Sequence, residues 1–246
     1  MSSAWPAPRR RSRRHVAPNR RGATGAWQAI AIQSGPTQSR TSHMAIRLHG
    51  ISSSRAFRSI WAAEELGIDF DHVATTFGAD SKEDGYLAVN PNGRIPALEE
   101  DGFNLFESMA INLYLAKQHG PEGFYPSDPR EEAQTWQWSV WGISEIEPLQ
   151  MEIVIQKFFL PEDKRDARVV ARAEKGLARP LKVLDAHLEG RDYLLGDSVT
   201  IADINLAGVM ELLNMIGFDT SGWPNADRWL AACRGRNSYA RAKARD

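Results

Sequence analysis

Ile95-Pro96-Ala97-Leu98-Glu99-Glu100-Asp101-Gly102-Phe103-Asn104-Leu105-Phe106 reads as two short strands around a tight turn. Asp-Gly supplies the backbone angles that a hairpin turn requires, and residues 95–98 and 103–106 are the flanking strands. Immediately upstream, Asn90-Pro91-Asn92-Gly93 is a cluster of turn residues that closes a loose helical segment over 82–89. Residues 70–76 form a further strand. Before it a helix runs over 55–66, with Phe57, Ile60, Trp61 and Leu66 on one face and Gly67 as its stop. Ser52-Ser53-Ser54 precedes that helix with hydroxyls suited to its first-turn amides, and strand 46–49 closes at Gly50. Downstream of the hairpin, Ser108 caps a helix reaching to residue 118. The order β-α-β-α-β-β-α within 46–118 is that of a small α/β sandwich.

Pro121, Pro126 and Pro129 mark a linker over 121–130, and no strand signal follows it. Helical patterns cover 131–159 (one helix, or two broken near Pro148), 161–188 with a stop at Gly190, 200–215 and 226–234. The chain therefore divides into an α/β domain over 44–120 and an all-helical domain over 131–246.

The first 43 residues differ from the rest. They carry eight Arg and no acid, without periodicity, and are expected to be disordered. Three origins fit: a mitochondrial transit peptide, a twin-arginine export signal whose apolar run 29–32 is short for the purpose, or upstream sequence ahead of a start at Met44. Removing this segment leaves 22 Lys and Arg against 31 Asp and Glu, a net charge near −9. So acidic a body argues against a general nucleic-acid binder. No run of 18 apolar residues exists to span a membrane. Cys233, the single cysteine, allows neither an internal disulfide nor a CxxC pair, so dithiol chemistry is excluded and a cytoplasmic setting fits. Its apolar neighbours mark it as a buried, inert thiol. The histidines show no metal-ligand spacing, and no metal is expected.

Four segments resemble the cytosolic glutathione S-transferase family, of the serine type and bacterial-like. They are Ser53-Ser54-Arg55-Ala56 leading into Trp61-Ala62-Ala63-Glu64-Glu65-Leu66-Gly67, then Asn90 to Leu98, then Phe106-Glu107-Ser108 with the helix after it, and Ser198-Val199-Thr200-Ile201-Ala202-Asp203. The resemblance extends over 44–246. It implies an α/β thioredoxin-like N-terminal domain (βαβαββα) followed by an all-α C-terminal helical domain, glutathione as co-substrate, and a homodimer. On that likeness the chain is cytoplasmic, and mitochondrial only if 1–43 is a genuine transit peptide.

Thiol conjugation needs a thiolate, yet a free thiol titrates at about 8.5. A hydroxyl hydrogen bond to sulfur favours the charged form, and each unit of lowering is about 1.4 kcal/mol. Counted back from Gly67 without gaps, Ser53 falls where the resemblance places the catalytic residue of the family's serine and cysteine types, with Ser54 the second choice and otherwise a glutathione-binding residue; helix capping is the alternative role for all three serines. Tyrosine is absent from 46–58, which argues against the tyrosine-type classes. The resemblance implies a cis Pro96, pairing of the Ile95 backbone with the cysteinyl backbone of glutathione, and Arg94 at the glycyl carboxylate. It also implies that Glu107 and Ser108 bind the γ-glutamyl end, Ser108 with first-turn amides that favour an anion. Thr200 and Asp203 have the form of a capping box, read as structural. Trp138 and Trp141 share a helix face and are candidates for the wall around an apolar electrophile, with Phe158 and Phe159 as further candidates and core packing as the alternative.

The leading reading is glutathione transfer to a small hydrophobic electrophile. Dehalogenation, isomerisation or peroxide reduction would use the same thiolate, and a non-catalytic module of the same fold is the reading from another class.

Overall fold

A computed structural model describes residues 46–245. The expected disorder of 1–43 lies outside the described residues. The N-terminal part is built from β1 (Ile46–His49), α1 (Phe57–Leu66), β2 (Phe70–Val73), a 3-10 turn at Asp80–Lys82, α2 (Asp84–Leu87), β3 (Ala97–Glu100), β4 (Phe103–Phe106) and α3 (Ser108–His119). The four strands form one mixed sheet in the order β2-β1-β3-β4, with β1 parallel to β2 and antiparallel to β3. This is the thioredoxin-like arrangement. α1 and α3 cover the sheet through Phe57, Ile60, Trp61, Ile111 and Leu115, all buried.

Several boundaries differ from the sequence reading, each for a local reason. β3 begins at Ala97 rather than Ile95, because Pro96 has no N–H to give to a ladder. The turn between β3 and β4 is as expected: Asp101 and Gly102 both have positive φ, 49° and 82°. α1 starts at Phe57, not Arg55, and Ala56 at its N-cap position offers no side-chain bond. Glu107, not Ser108, occupies the N-cap position of α3.

The C-terminal part is all helical: α4 (Pro129–Trp141), α5 (Glu147–Val154), α6 (Ala167–His187), α7 (Ile201–Ile216), α8 (Pro224–Arg234) and α9 (Asn237–Lys243). α4 and α5 are joined through a π-helical turn at Gly142–Ile146, and a second such turn, Ile155–Phe159, extends α5. The expected break near Pro148 is thus a change of winding. A proline cannot supply the N–H of an i to i−4 bond, and a π turn absorbs the irregularity. α6 starts at Ala167, later than expected, behind a 3-10 turn at Glu162–Lys164. α7 is the buried central helix. Its capping box is present, with Thr200 N–H and Oγ1 both donating to Asp203 Oδ2 at 2.9 and 3.0 Å. Leu194 N–H and Trp229 Nε1 donate to Asp203 Oδ1, so the carboxyl ties α7, α8 and the loop before them together. Burial pushes its pKa up.

α9 was not expected, and it bridges the two parts. Arg241 and Arg245 pair with Glu64 of α1, Arg236 pairs with Glu65, and Trp61 Nε1 donates to Ser238 Oγ at 3.1 Å. A buried polar seam lies deeper. Asn112 of α3 donates to the Arg58 carbonyl of α1 and to Asn205 of α7, which in turn donates to Ser139 of α4. Buried polar groups bonded from helix to helix fix how the helices meet. Among the described residues no helix is long and apolar enough to cross a membrane.

Candidate active site

The loop between β1 and α1 carries the three serines and is fixed at both ends. Gly50 donates its N–H to the Val73 carbonyl at 2.9 Å and accepts from His72 Nε2 at 2.7 Å, so both bonds come from β2. Gly50 has φ 126°, and a Cβ there would stand 2.4 Å from Ala56 Cβ and 3.2 Å from Ile95 Cβ. Only glycine lets this backbone lie against the Ile95-Pro96 segment. Ile51 continues the contact by packing on the small cluster of Tyr86, Ile95 and Ala97.

The serines behave differently. The Ser54 hydroxyl donates to the Ile51 carbonyl at 2.7 Å and accepts from the Ala56 N–H at 3.1 Å. Its proton is committed within the turn. Ser52 is half-buried and has a partner. Ser53 is exposed, and among the described residues its hydroxyl makes no hydrogen bond. Ser54 makes one bond of the capping kind, to the amide of Ala56 at the N-cap position of α1. The amides of Phe57, Arg58 and Ser59 bond instead to the carbonyls of Ser54, Arg55 and Ala56.

Opposite this loop, the Ile95–Pro96 peptide is cis. The Arg94 carbonyl before it accepts from Tyr86 Oη and Asn90 Nδ2, each at 2.6 Å. Burial pushes the Tyr86 phenol up to about 12, so it stays a donor. Ile95 is buried, and among the described residues its backbone N–H and C=O take part in no hydrogen bond. The Arg94 side chain is exposed. Lys82 Nζ lies nearby, donating to the Gly93 carbonyl at 3.0 Å. Sequence reasoning passed over this second cation, because Lys82 is eleven residues from Gly93 with no motif to join them.

Glu107 has φ 74° and ψ 112°, a backbone conformation that side chains other than glycine's adopt at a cost of about 1–3 kcal/mol. Its side chain is exposed, while Ser108 begins α3 and is buried. The strained, exposed glutamate therefore stands directly ahead of the free first-turn amides of α3, a place that favours an anion.

The tryptophans separate. Trp138 is 4% exposed and belongs to the core, its ring 4.6 Å from His187 and 5.1 Å from Trp141, which is half-buried. Trp138 therefore has almost no surface to offer a ligand. Exposed apolar side chains gather further along the same long helix, at Ile155, Phe158 (54%) and Phe159 (71%). Lys157 Nζ donates to the Ile216 carbonyl at 3.0 Å and brings this end of the helix to exposed Met215 of α7. Glu147, on that helix, pairs with Arg55 directly after Ser54. Ile155 is eight residues beyond Glu147, about 12 Å along the axis.

Cys233 is fully buried, and burial pushes its thiol well above the usual range. Among the described residues no group of three or more His, Cys, Asp and Glu is placed to hold a metal ion.

Two family models match this chain: the glutathione S-transferase N-terminal domain over residues 44–117 and the glutathione S-transferase C-terminal domain over 146–237. The chain belongs to the glutathione S-transferase family. A glutathione S-transferase of Hyoscyamus muticus is 33% identical over 211 residues, covering 81% of this chain and 98% of the relative. Elongation factor 1-gamma of Equus caballus is 32% identical over 187 residues, 73% of this chain and 41% of that protein. Among solved structures, the theta class glutathione S-transferase of Xanthomonas axonopodis pv. citri, with glutathione bound, superposes with a TM-score of 0.75. It shares 29% identity and covers 82% of this chain and 99% of that one. The glutathione S-transferase resemblance of the four sequence segments and the two-part fold are thus both shown.

Proposed function

We propose that this chain is a glutathione transferase in which Ser53 activates the thiol of bound glutathione. One observation carries the reading. The exposed, uncommitted Ser53 hydroxyl stands on a loop packed through Gly50 and Ile51 against Ile95, whose backbone is unpaired. An extended cysteinyl residue adding to Ile95 as a strand would bring its side chain to that loop.

In this reading the γ-glutamyl ammonium meets Glu107, and its carboxylate meets Ser108 and the first amides of α3. The glycyl carboxylate meets Arg94, with Lys82 beside it. The thiol proton leaves to solvent, and the Ser53 hydroxyl donates to the sulfur anion that remains. The thiolate then attacks the electrophilic carbon, a carbon–sulfur bond forms, and the leaving group departs with its electron pair. Ser54 supports the turn instead of the sulfur. Ile155, Phe158, Phe159 and Met215 supply the apolar wall for the acceptor, while Trp138 is spent on the core and Trp141 lies about 21 Å back along the helix axis from Ile155. Dehalogenation, isomerisation and peroxide reduction remain within reach of the same thiolate.

A homodimer fits the exposed apolar line of Trp136 and Val140 on α4 and Ile143 on the π turn after it, which a second copy would cover. The likeness to elongation factor 1-gamma favours one other reading, a binding module without turnover. Retention on immobilised glutathione with turnover of chlorodinitrobenzene by the full chain separates the two. Retention without turnover selects the module, and neither retention nor turnover overturns the glutathione reading.

A further inference from the structure

The Gly50–Ile51 peptide sits where three constraints meet. From β2, Val73 and His72 hold the Gly50 N–H and carbonyl. On its other side, Ala56 and Ile95 press against the glycine. The next carbonyl, that of Ile51, accepts both the N–H and the hydroxyl of Ser54, at 3.1 and 2.7 Å. Ser53 lies between these anchors, so the tilt of the Gly50 peptide sets where its hydroxyl points. A carbonyl can only accept, so His72 Nε2 carries the proton in this bond. Val73 fixes the nitrogen side of Gly50. His72 fixes the carbonyl side, which leads into the serine turn.

We propose that His72 is a positioning residue, which by donating Nε2–H to the Gly50 carbonyl holds the Ser53 hydroxyl at the right reach from a sulfur bound beside Ile95. This rests on the transferase reading above. In that reading His72 is assigned no contact with glutathione or acceptor. Its removal should therefore weaken the Ser53-to-sulfur hydrogen bond and leave untouched the groups at Arg94, Ile95, Glu107 and Ser108 that grip the tripeptide.

The test compares the full-length wild type with His72→Phe, which removes the donor, and His72→Gln, whose amide restores one. The thiol of bound glutathione is titrated by its ultraviolet thiolate absorbance, and kcat and KM are measured with chlorodinitrobenzene. The Phe variant is expected to titrate about one unit higher and to lose kcat about tenfold on the acid side of that titration, with KM for glutathione nearly unchanged. The Gln variant is expected to recover most of the loss. A Phe variant that titrates like wild type overturns the proposal. So does one that loses glutathione affinity while its bound thiol titrates normally, and so does a Gln variant no better than Phe. If the Phe variant does not fold, nitrogen NMR of the wild-type imidazole decides: Nε2–H is expected, and an Nδ1–H tautomer at neutral pH overturns the proposal. A wild type whose bound thiol titrates like free glutathione would instead remove the transferase reading itself.

Discussion

Glu147 of the helical part and Arg58 of α1 face each other at 3.0 Å across the junction of the two parts, both almost fully buried, and Arg55 joins the same carboxylate from the serine loop. Burial alone would raise the Glu147 carboxyl. The two guanidinium groups outweigh it and hold the pKa below the usual carboxylate range. Arg58 also packs its stem against Gly208 of α7, where a Cβ would come within 3.2 Å of it.

Removing one member of this pair leaves a buried charge without its partner. Glu147→Ala is expected to lower unfolding free energy by about 3–5 kcal/mol in urea titrations. The double variant Arg58→Met, Glu147→Leu should lose clearly less than the single one, since no lone charge remains. Equal losses would mean that packing, not charge, holds the junction.

Glu64, Glu65 and Glu147 all have carboxyls below their ordinary value of 4.5; burial raises each, and their arginine partners more than compensate. A carboxyl depressed in the folded state takes up its proton more readily in the unfolded chain. The stability it contributes is fully present above the unfolded value and is lost as pH falls through the folded one. Urea midpoints are therefore expected to hold steady down to about pH 5 and to decline below that. Glu65→Gln should start lower at neutral pH and decline less. Parallel curves for the two proteins would contradict the ion-pair account of α9.

Glu107 is exposed, and its backbone angle is set by the chain on either side. Glu107→Ala is expected to shift stability by no more than about 1 kcal/mol. It should raise KM for glutathione roughly tenfold or more, the loss of one charge-assisted bond. An unchanged KM would remove Glu107 from the γ-glutamyl site.

Phe159 is largely exposed, so its truncation should cost little stability. Phe158→Ala combined with Phe159→Ala is expected to raise KM for an apolar acceptor several-fold and leave KM for glutathione unchanged. If acceptor KM stays the same and that for glutathione rises, the wall lies elsewhere.

What the sequence made legible was whatever is written locally. β1 and the Asp101-Gly102 hairpin followed from alternation and turn chemistry, and the Thr200–Asp203 box from two residues three apart. α9 escaped because its seven residues have no apolar period and are held by ion pairs to Glu64 and Glu211, with Arg236 just ahead of it paired to Glu65, all far away in the chain. Trp136, Trp138 and Trp141 all sit within one and a half turns of helix, so spacing alone did not say which indole faces the core. The same limit applied at the serines. A count placed Ser53 and Ser54 one residue apart, and only the bonds of Ser54 to Ile51 and Ala56 separate them. His72 carried no local signature, because its partner is 22 residues earlier at Gly50.

The central claim is that the Ser53 hydroxyl stabilises the glutathione thiolate, and titration of the bound thiol in wild type, Ser53→Ala and Ser54→Ala tests it most directly. The account predicts that wild type titrates below the free thiol's value of about 8.5, that Ser53→Ala returns most of the way to it, and that Ser54→Ala stays close to wild type. A Ser53→Ala protein that titrates like wild type, while Ser54→Ala reverts, would contradict it and move the chemistry to the neighbouring serine.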